Sequence, residues 1–179
     1  MIVVSNTTPL IYLSKADKLT ILKDLFGNIY IPTEVYSEAV ESGLSKGYSD
    51  AQRIDTACKD WIIVKSASVD PELALIQNLS RHSSIGETLV GIHAGEIGAI
   101  SLAMELGAEF LIADDRAVIR FILNMPSLFN FSVIGTGDIL CIALDRGIIS
   151  QSDYDDFFQI FGTAVAFVSQ KHGSDTNVF

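Results

Sequence analysis

Apolar positions along the chain change spacing in a regular order, two-residue alternation giving way to helical spacing and back again. Short β-branched or aromatic runs at residues 2–4, 29–31, 61–64, 110–113 and 131–134 predict strands. Leu10, Ile11 and Leu13, then Leu19, Ile21, Leu22, Leu25 and Phe26, recur at helical spacing, with Asp17-Lys18 as the break and Gly27 as the end. Pro32-Thr33 opens a helix that turns Val35, Ala39 and Val40 inward and groups Glu34, Glu38 and Glu41 on the other face. Residues 41–48 are polar and glycine-containing and predict a loop, and residues 51–59 predict a helix. Pro71 starts another helix, while residues 79–93, rich in Ser, Gly and His, predict a loop with at most a short helical turn. Residues 95–107 are apolar around nearly the whole helical circumference, the mark of a buried helix, with Glu96 as the exception in its first turn. Further helices are expected at 116–123, at 138–146 and from 152 onward, with Gly135-Thr136-Gly137 as a turn. Alternating strands and helices predict an α/β fold with a parallel sheet of four or five strands covered on both faces. Ligands of such sheets bind outside the carboxyl ends of the strands, where Asn6, Asp114 and Asp115 fall.

The 179 residues amount to one domain's worth of chain, and a composition 49% hydrophobic and 19% charged excludes disordered and fibrous classes. No apolar run approaches the roughly 20 residues that a membrane helix needs. The first apolar run has no basic region before it, so no secretory signal is expected and the cytoplasm is the expected compartment. Cys58 and Cys141 form no Cys-x-x-Cys pair and are expected as buried thiols. His82, His93 and His172 are not spaced to share a helix face, which speaks against zinc. Twelve Lys and Arg against 22 Asp and Glu give a net charge of −10, which rules out nucleic-acid binding by bulk charge. Clustered carboxylates that recruit divalent cations would still permit a nuclease, since the cations present positive charge to phosphate. Neither a Gly-x-Gly-x-x-Gly after the first strand nor a P-loop occurs.

A polar residue ends strand one, an acid sits on the helix after strand two, and acids flank the strand at 110–113. In this arrangement the sequence resembles the PIN-domain family, metal-dependent ribonucleases best known as toxins of toxin-antitoxin pairs. The matching pieces are Val3-Val4-Ser5-Asn6-Thr7-Thr8-Pro9-Leu10, Ile31-Pro32-Thr33-Glu34-Val35-Tyr36-Ser37-Glu38, Gly95-Glu96-Ile97-Gly98-Ala99-Ile100 and Leu111-Ile112-Ala113-Asp114-Asp115-Arg116. Gly135-Thr136-Gly137-Asp138-Ile139-Leu140 and Arg146-Gly147-Ile148-Ile149 look like the closing helix of one subgroup, so the resemblance covers residues 1–150. It implies a PIN-like three-layer α/β/α sandwich over 1–150 and leaves 151–179 as a helical extension packed on the same domain or on a partner.

The resemblance further implies hydrolysis of RNA phosphodiesters with Mg²⁺ or Mn²⁺. Glu38, Glu96 and Asp115 would be catalytic, Asn6, Glu96, Asp114 and Asp115 would hold metal, and Thr7, Thr8, Arg116 and Arg120 would meet substrate. An antitoxin-like partner and a homodimer are also implied. This chain departs from the family at Asn6, where an aspartate is usual, and at Gly98, where a subgroup often has another acid. An amide offers a cation only a neutral oxygen, so the implied enzyme is a weakened one, and an inactive PIN-fold binding or regulatory module is the alternative. A response-regulator receiver would need paired acids after strand one and a lysine after the last strand, which Ser5-Asn6 and Gly135-Thr136 do not supply. Each acid also has a purely structural explanation. Glu96 would gain about 0.3–1 kcal/mol from the helix dipole in any protein, Glu34, Glu38 and Glu41 could be a solvated face, and Asn6 and Asp114-Asp115 could be helix caps.

Overall fold

The computed structural model describes residues 1–66 and 92–168. The expected helix at Pro71, His82 and nearly all of the expected loop at 79–93 lie outside the described residues. Strands β1 (Val3–Ser5), β2 (Ile29–Pro32), β3 (Ile62–Lys65), β4 (Phe110–Ile112) and β5 (Ser132–Ile134) form an all-parallel sheet in the order β3-β2-β1-β4-β5. Helices α1 (Thr7–Lys15), α2 (Thr20–Phe26) and α3 (Thr33–Tyr36) follow the first two strands, and α3 runs through a π-helical turn (Ser37–Glu41) into α4 (Ser42–Ser45) and on to α5 (Ser49–Cys58). Beyond β3 come α6 (Ala94–Leu106), α7 (Arg116–Asn124), α8 (Thr136–Asp145) and α9 (Gln151–Phe161). Among the described residues no helix is long and apolar enough to cross a membrane.

The two-residue period of each strand sorts its side chains into two cores. Val3, Ile29, Ile31, Ile112 and Ile134 join a cluster with Leu10, Leu13, Leu22, Ile54, Leu140 and Phe157, on the side of α1, α2, α5, α8 and α9. Val4, Leu111 and Val133 point the other way, to Ile100, Leu102, Val118 and Phe121 of α6 and α7. Helices therefore cover both faces, which makes the three-layer α/β/α sandwich, and strands buried on both faces can be continuously apolar. Gly107, with φ of 60°, closes α6 in the left-handed conformation that suits glycine.

Four local expectations change. Residues 42–45, expected as loop, are helical, because Gly43 brings α4 against α5 so closely that a Cβ there would stand 2.5 Å from the Ala51 Cβ. The helix expected from Thr33 onward is not regular, passing into a π turn at Ser37–Glu41. Thr136 and Gly137 are the first turn of α8 rather than a turn before it, with Gly135 at the N-cap. The two thiols are half-buried rather than buried, and burial, with the Asp55 charge adding, pushes Cys58 up to about 11.

The C-terminal helix is tied in by several contacts. Phe157 is only 2% exposed, Phe161 stacks on Tyr12 with centroids 5.1 Å apart, and Lys18 donates to Asp153. Ser150 and Asp153 form a reciprocal capping box at its start.

Candidate metal centre and the family it defines

Strand β1 sits in the middle of the sheet, with β2 and β3 on one side and β4 and β5 on the other. Chain direction across the sheet therefore switches between β1 and β4, and the crevice beyond their carboxyl ends is where an open α/β sheet binds ligand. Ser5 pairs with Ile112 across these strands, and the Asn6 amide donates to the Ile112 carbonyl at 3.0 Å. Asn6 and the segment Ala113-Asp114-Asp115 are thus placed side by side at the switch point.

Asn6 occupies the N-cap position of α1 but makes no side-chain cap hydrogen bond. The residue is 3% exposed, and its Oδ1 is buried without a hydrogen-bond partner among the described residues. A buried carbonyl oxygen left unmade costs about 1–3 kcal/mol. Helix capping does not account for it.

The neighbouring Thr7 Oγ1 donates to Glu38 Oε2 at 2.7 Å, linking α1 to the exposed acid on the π turn. Thr8, in the same first turn, is half-buried. Glu38 lies against the first turn of α6, where a Cβ on Gly95 would come within 3.1 Å of its Oε2. Gly98, one turn on, faces Glu34 in the same way at 3.2 Å, so both glycines make room for carboxylates from residues 33–45. Glu41, expected on the same face, instead accepts from Ser37 Oγ at 2.6 Å.

Glu96 Oε2 accepts from the His93 backbone N–H at 2.7 Å, in a capping box at the start of α6. Burial holds the Glu96 carboxyl above its usual range, the His93 hydrogen bond opposes this, and the Asp115 and Glu38 charges add to the rise. Those Coulombic effects bring Glu38, Glu96 and Asp115 into one electrostatic neighbourhood. Asp115 caps α7, its Oδ1 accepting from the amides of Ala117 at 2.7 Å and Val118 at 3.1 Å.

Asp114 is used differently. It is buried, with Oδ1 accepting from the amides of Thr136 and Ala166 and Oδ2 from Thr136 Oγ1 at 2.6 Å. Burial raises its pKa and these three hydrogen bonds pull it back. Both oxygens are occupied in bracing α8 and the chain beyond α9. Asp138 does similar work, its Oδ2 accepting from the amides of Gly135 and Val168. Sequence reasoning missed Thr136 and Asp138 as bracing residues, although an acid three places after a helix N-cap was the signal for it.

Among the described residues, no three His, Cys, Asp or Glu side chains stand close enough as placed to hold a metal ion. The oxygen set nevertheless suits a hard divalent cation. Glu38, Glu96 and Asp115 are each anchored through one oxygen by their hydrogen bonds, and no described donor meets the other. Together with the orphaned Asn6 oxygen, these free acceptors are fit to receive a cation. Arg116 and Arg120 stand exposed on the first turns of α7, just past Asp115.

A parallel sheet in this order, with acids at its switch point, is an open α/β sheet whose ligand crevice is lined by carboxylates. A family model described as a PIN domain matches residues 2–171, and the chain belongs to the PIN-domain family. No curated protein matches it.

Proposed function

We propose that the protein is a divalent-metal-dependent ribonuclease of PIN type that hydrolyses RNA phosphodiesters, weakened by Asn6 in place of an acid. The observation that carries this is the Asn6 Oδ1, buried and without a partner among the described residues, beside the Asp114-Asp115 segment that follows β4. A buried polar oxygen with no partner among the described residues, at the ligand-binding edge of a sheet, is suited to a ligand that pairs with it. Asn6, Glu96 and Asp115 would hold Mg²⁺ or Mn²⁺, with Glu38 in support. When bound, such an ion acidifies water and neutralises charge on the phosphate oxygens.

The protein's own groups prepare that chemistry. The Thr7 hydroxyl orients Glu38, the His93 amide orients Glu96, and the first turn of α7 orients Asp115, so each carboxylate loses little freedom on taking up a ligand. Asp114, with both oxygens in use, serves as a brace rather than as a ligand.

Incubation of a single-stranded RNA with the protein and Mn²⁺ tests the assignment. Cleavage is expected, and it should disappear with chelator or in Asp115→Asn. Binding of Mn²⁺ and RNA with no cleavage at any enzyme concentration would instead favour a PIN-fold binding module.

A further inference from the structure

The motif Gly135-Thr136-Gly137-Asp138 forms the N-cap and first turn of α8, and the chain that follows α9 passes directly over it. This strap, residues 165–168, is held there by hydrogen bonds in both directions. The Ala166 amide donates to Asp114 Oδ1 and the Val168 amide to Asp138 Oδ2, each at 2.8 Å, while the Gly137 amide donates to the Ala166 carbonyl at 3.0 Å. A Cβ on Gly135 would stand 2.1 Å from that carbonyl oxygen and one on Gly137 2.7 Å from it, so the passage leaves no space for a side chain at either position. The strap is also gripped from α9, where Phe167 stacks on Phe158 with ring centroids 5.4 Å apart.

Asp114 is where this assembly meets the carboxylate site. Its Oδ1 accepts from the Thr136 amide at 2.9 Å as well as from the strap, and its Oδ2 accepts from the Thr136 hydroxyl at 2.6 Å. Thr136 and Asp114 are both buried, so bulk water does not stand ready to replace a lost partner. One residue back, the Ala113 amide donates to the Ile134 carbonyl at 3.0 Å. One residue on is Asp115, whose Oδ1 caps α7 through the amides of Ala117 and Val118. The chain is therefore clamped immediately before the acid assigned to the cation, by groups that never touch the cation themselves.

We propose that Thr136, Asp138 and the strap form a clasp that holds the backbone at Asp114 and thereby fixes the direction of the Asp115 carboxylate, with Thr136 as the positioning residue. Only the consequence for metal affinity rests on the ribonuclease assignment. The test compares the natural chain with Thr136→Val, Thr136→Ser, Gly135→Ala and, as a control buried in α5, Ile54→Val. It uses Mn²⁺ titration calorimetry together with hydrogen exchange of the Ala117 and Val118 amides in the absence of metal, which reports on the Asp115 cap itself. Thr136→Val keeps the shape and loses the hydroxyl, and Gly135→Ala displaces the strap. Each should weaken Mn²⁺ binding about tenfold, as loss of a partner behind a metal ligand does, and speed exchange at Ala117 and Val118 relative to the amides of α5. Thr136→Ser should restore both properties, and Ile54→Val should leave Mn²⁺ affinity and the relative exchange as they are. Natural affinity and natural exchange in both Thr136→Val and Gly135→Ala would overturn the clasp. Equal losses in Thr136→Ser or in Ile54→Val would overturn it too, tracing the effect to packing or to general stability. Should Gly135→Ala fail to fold, the valine and serine variants decide. Absence of Mn²⁺ binding by the natural protein would remove the metal assignment, and exchange at Ala117 and Val118 would still decide the clasp.

Discussion

Asp115 accepts both cap hydrogen bonds through Oδ1 alone, so asparagine at this position can keep the cap while removing the charge. Asp115→Asn should therefore melt close to the natural protein, whereas Asp115→Ala should lose about 1 kcal/mol of stability. Both should lose Mn²⁺-dependent cleavage, and thermal melts beside activity assays would separate the two roles. If the asparagine variant retained cleavage, the carboxylate would be no more than a cap. Asp114, next in the chain, shows why sequence position alone does not assign a ligand. Either acid of the pair could have been the cap, and only the hydrogen bonds to Thr136 and Ala166 show where Asp114 is spent. Asn6 is the opposite case, since its suitability as an N-cap was evident and the cap bond is not made.

At the level of elements, the strands were legible to within a residue or two because each is a short apolar run, β-branched or aromatic, between helical segments. Helix α6 was equally plain from its all-round apolar surface, and the structure buries it from Gly98 to Ala103. What was hidden depended on contacts between distant segments. The π turn at Ser37–Glu41 shifts the helical register by a residue, so a regular wheel misplaces Glu41 relative to Glu34 and Glu38. The strap at 165–168 has no periodic signature, being defined by acids many residues away. The phenylalanines of α9 could have served a self-association face or a core, and sequence spacing does not choose between them. Phe157 lies in the same apolar cluster as Leu10 and Leu140, so we expect Phe157→Ala to cost about 3–5 kcal/mol. Urea denaturation would measure this. A cost under 1 kcal/mol would mean that α9 is a dispensable attachment.

For the whole molecule, the placement of β1 between two halves of the sheet determines where Asn6, just after β1, and the acids at the starts of α6 and α7 and on the π turn come into one neighbourhood. The same connectivity makes the last helix depend on the first helical pair, through Lys18 and Asp153. Lys18, with Ser150 in support, holds the Asp153 carboxyl well below the usual carboxylate range. A carboxyl with a depressed folded pKa stabilises the protein above its unfolded pKa, about 3.9, and loses that contribution as pH falls toward the folded value. Asp153→Asn should accordingly melt below the natural protein at pH 5 to 7, a gap that narrows below about pH 4. A gap independent of pH would show that the ion pair is not its source. The most direct measurement of the account as a whole is Mn²⁺ titration calorimetry on the natural protein and on Asn6→Asp. The substitution is nearly isosteric and puts a charge where the unpaired oxygen now lies, so without metal it should lower the melting temperature through like-charge repulsion. With Mn²⁺ it should bind more tightly than the natural protein, show the larger metal-induced rise in melting temperature, and cleave RNA faster. Equal or absent Mn²⁺ binding in the two proteins would place the cation, if there is one, away from Asn6 and contradict the site described above.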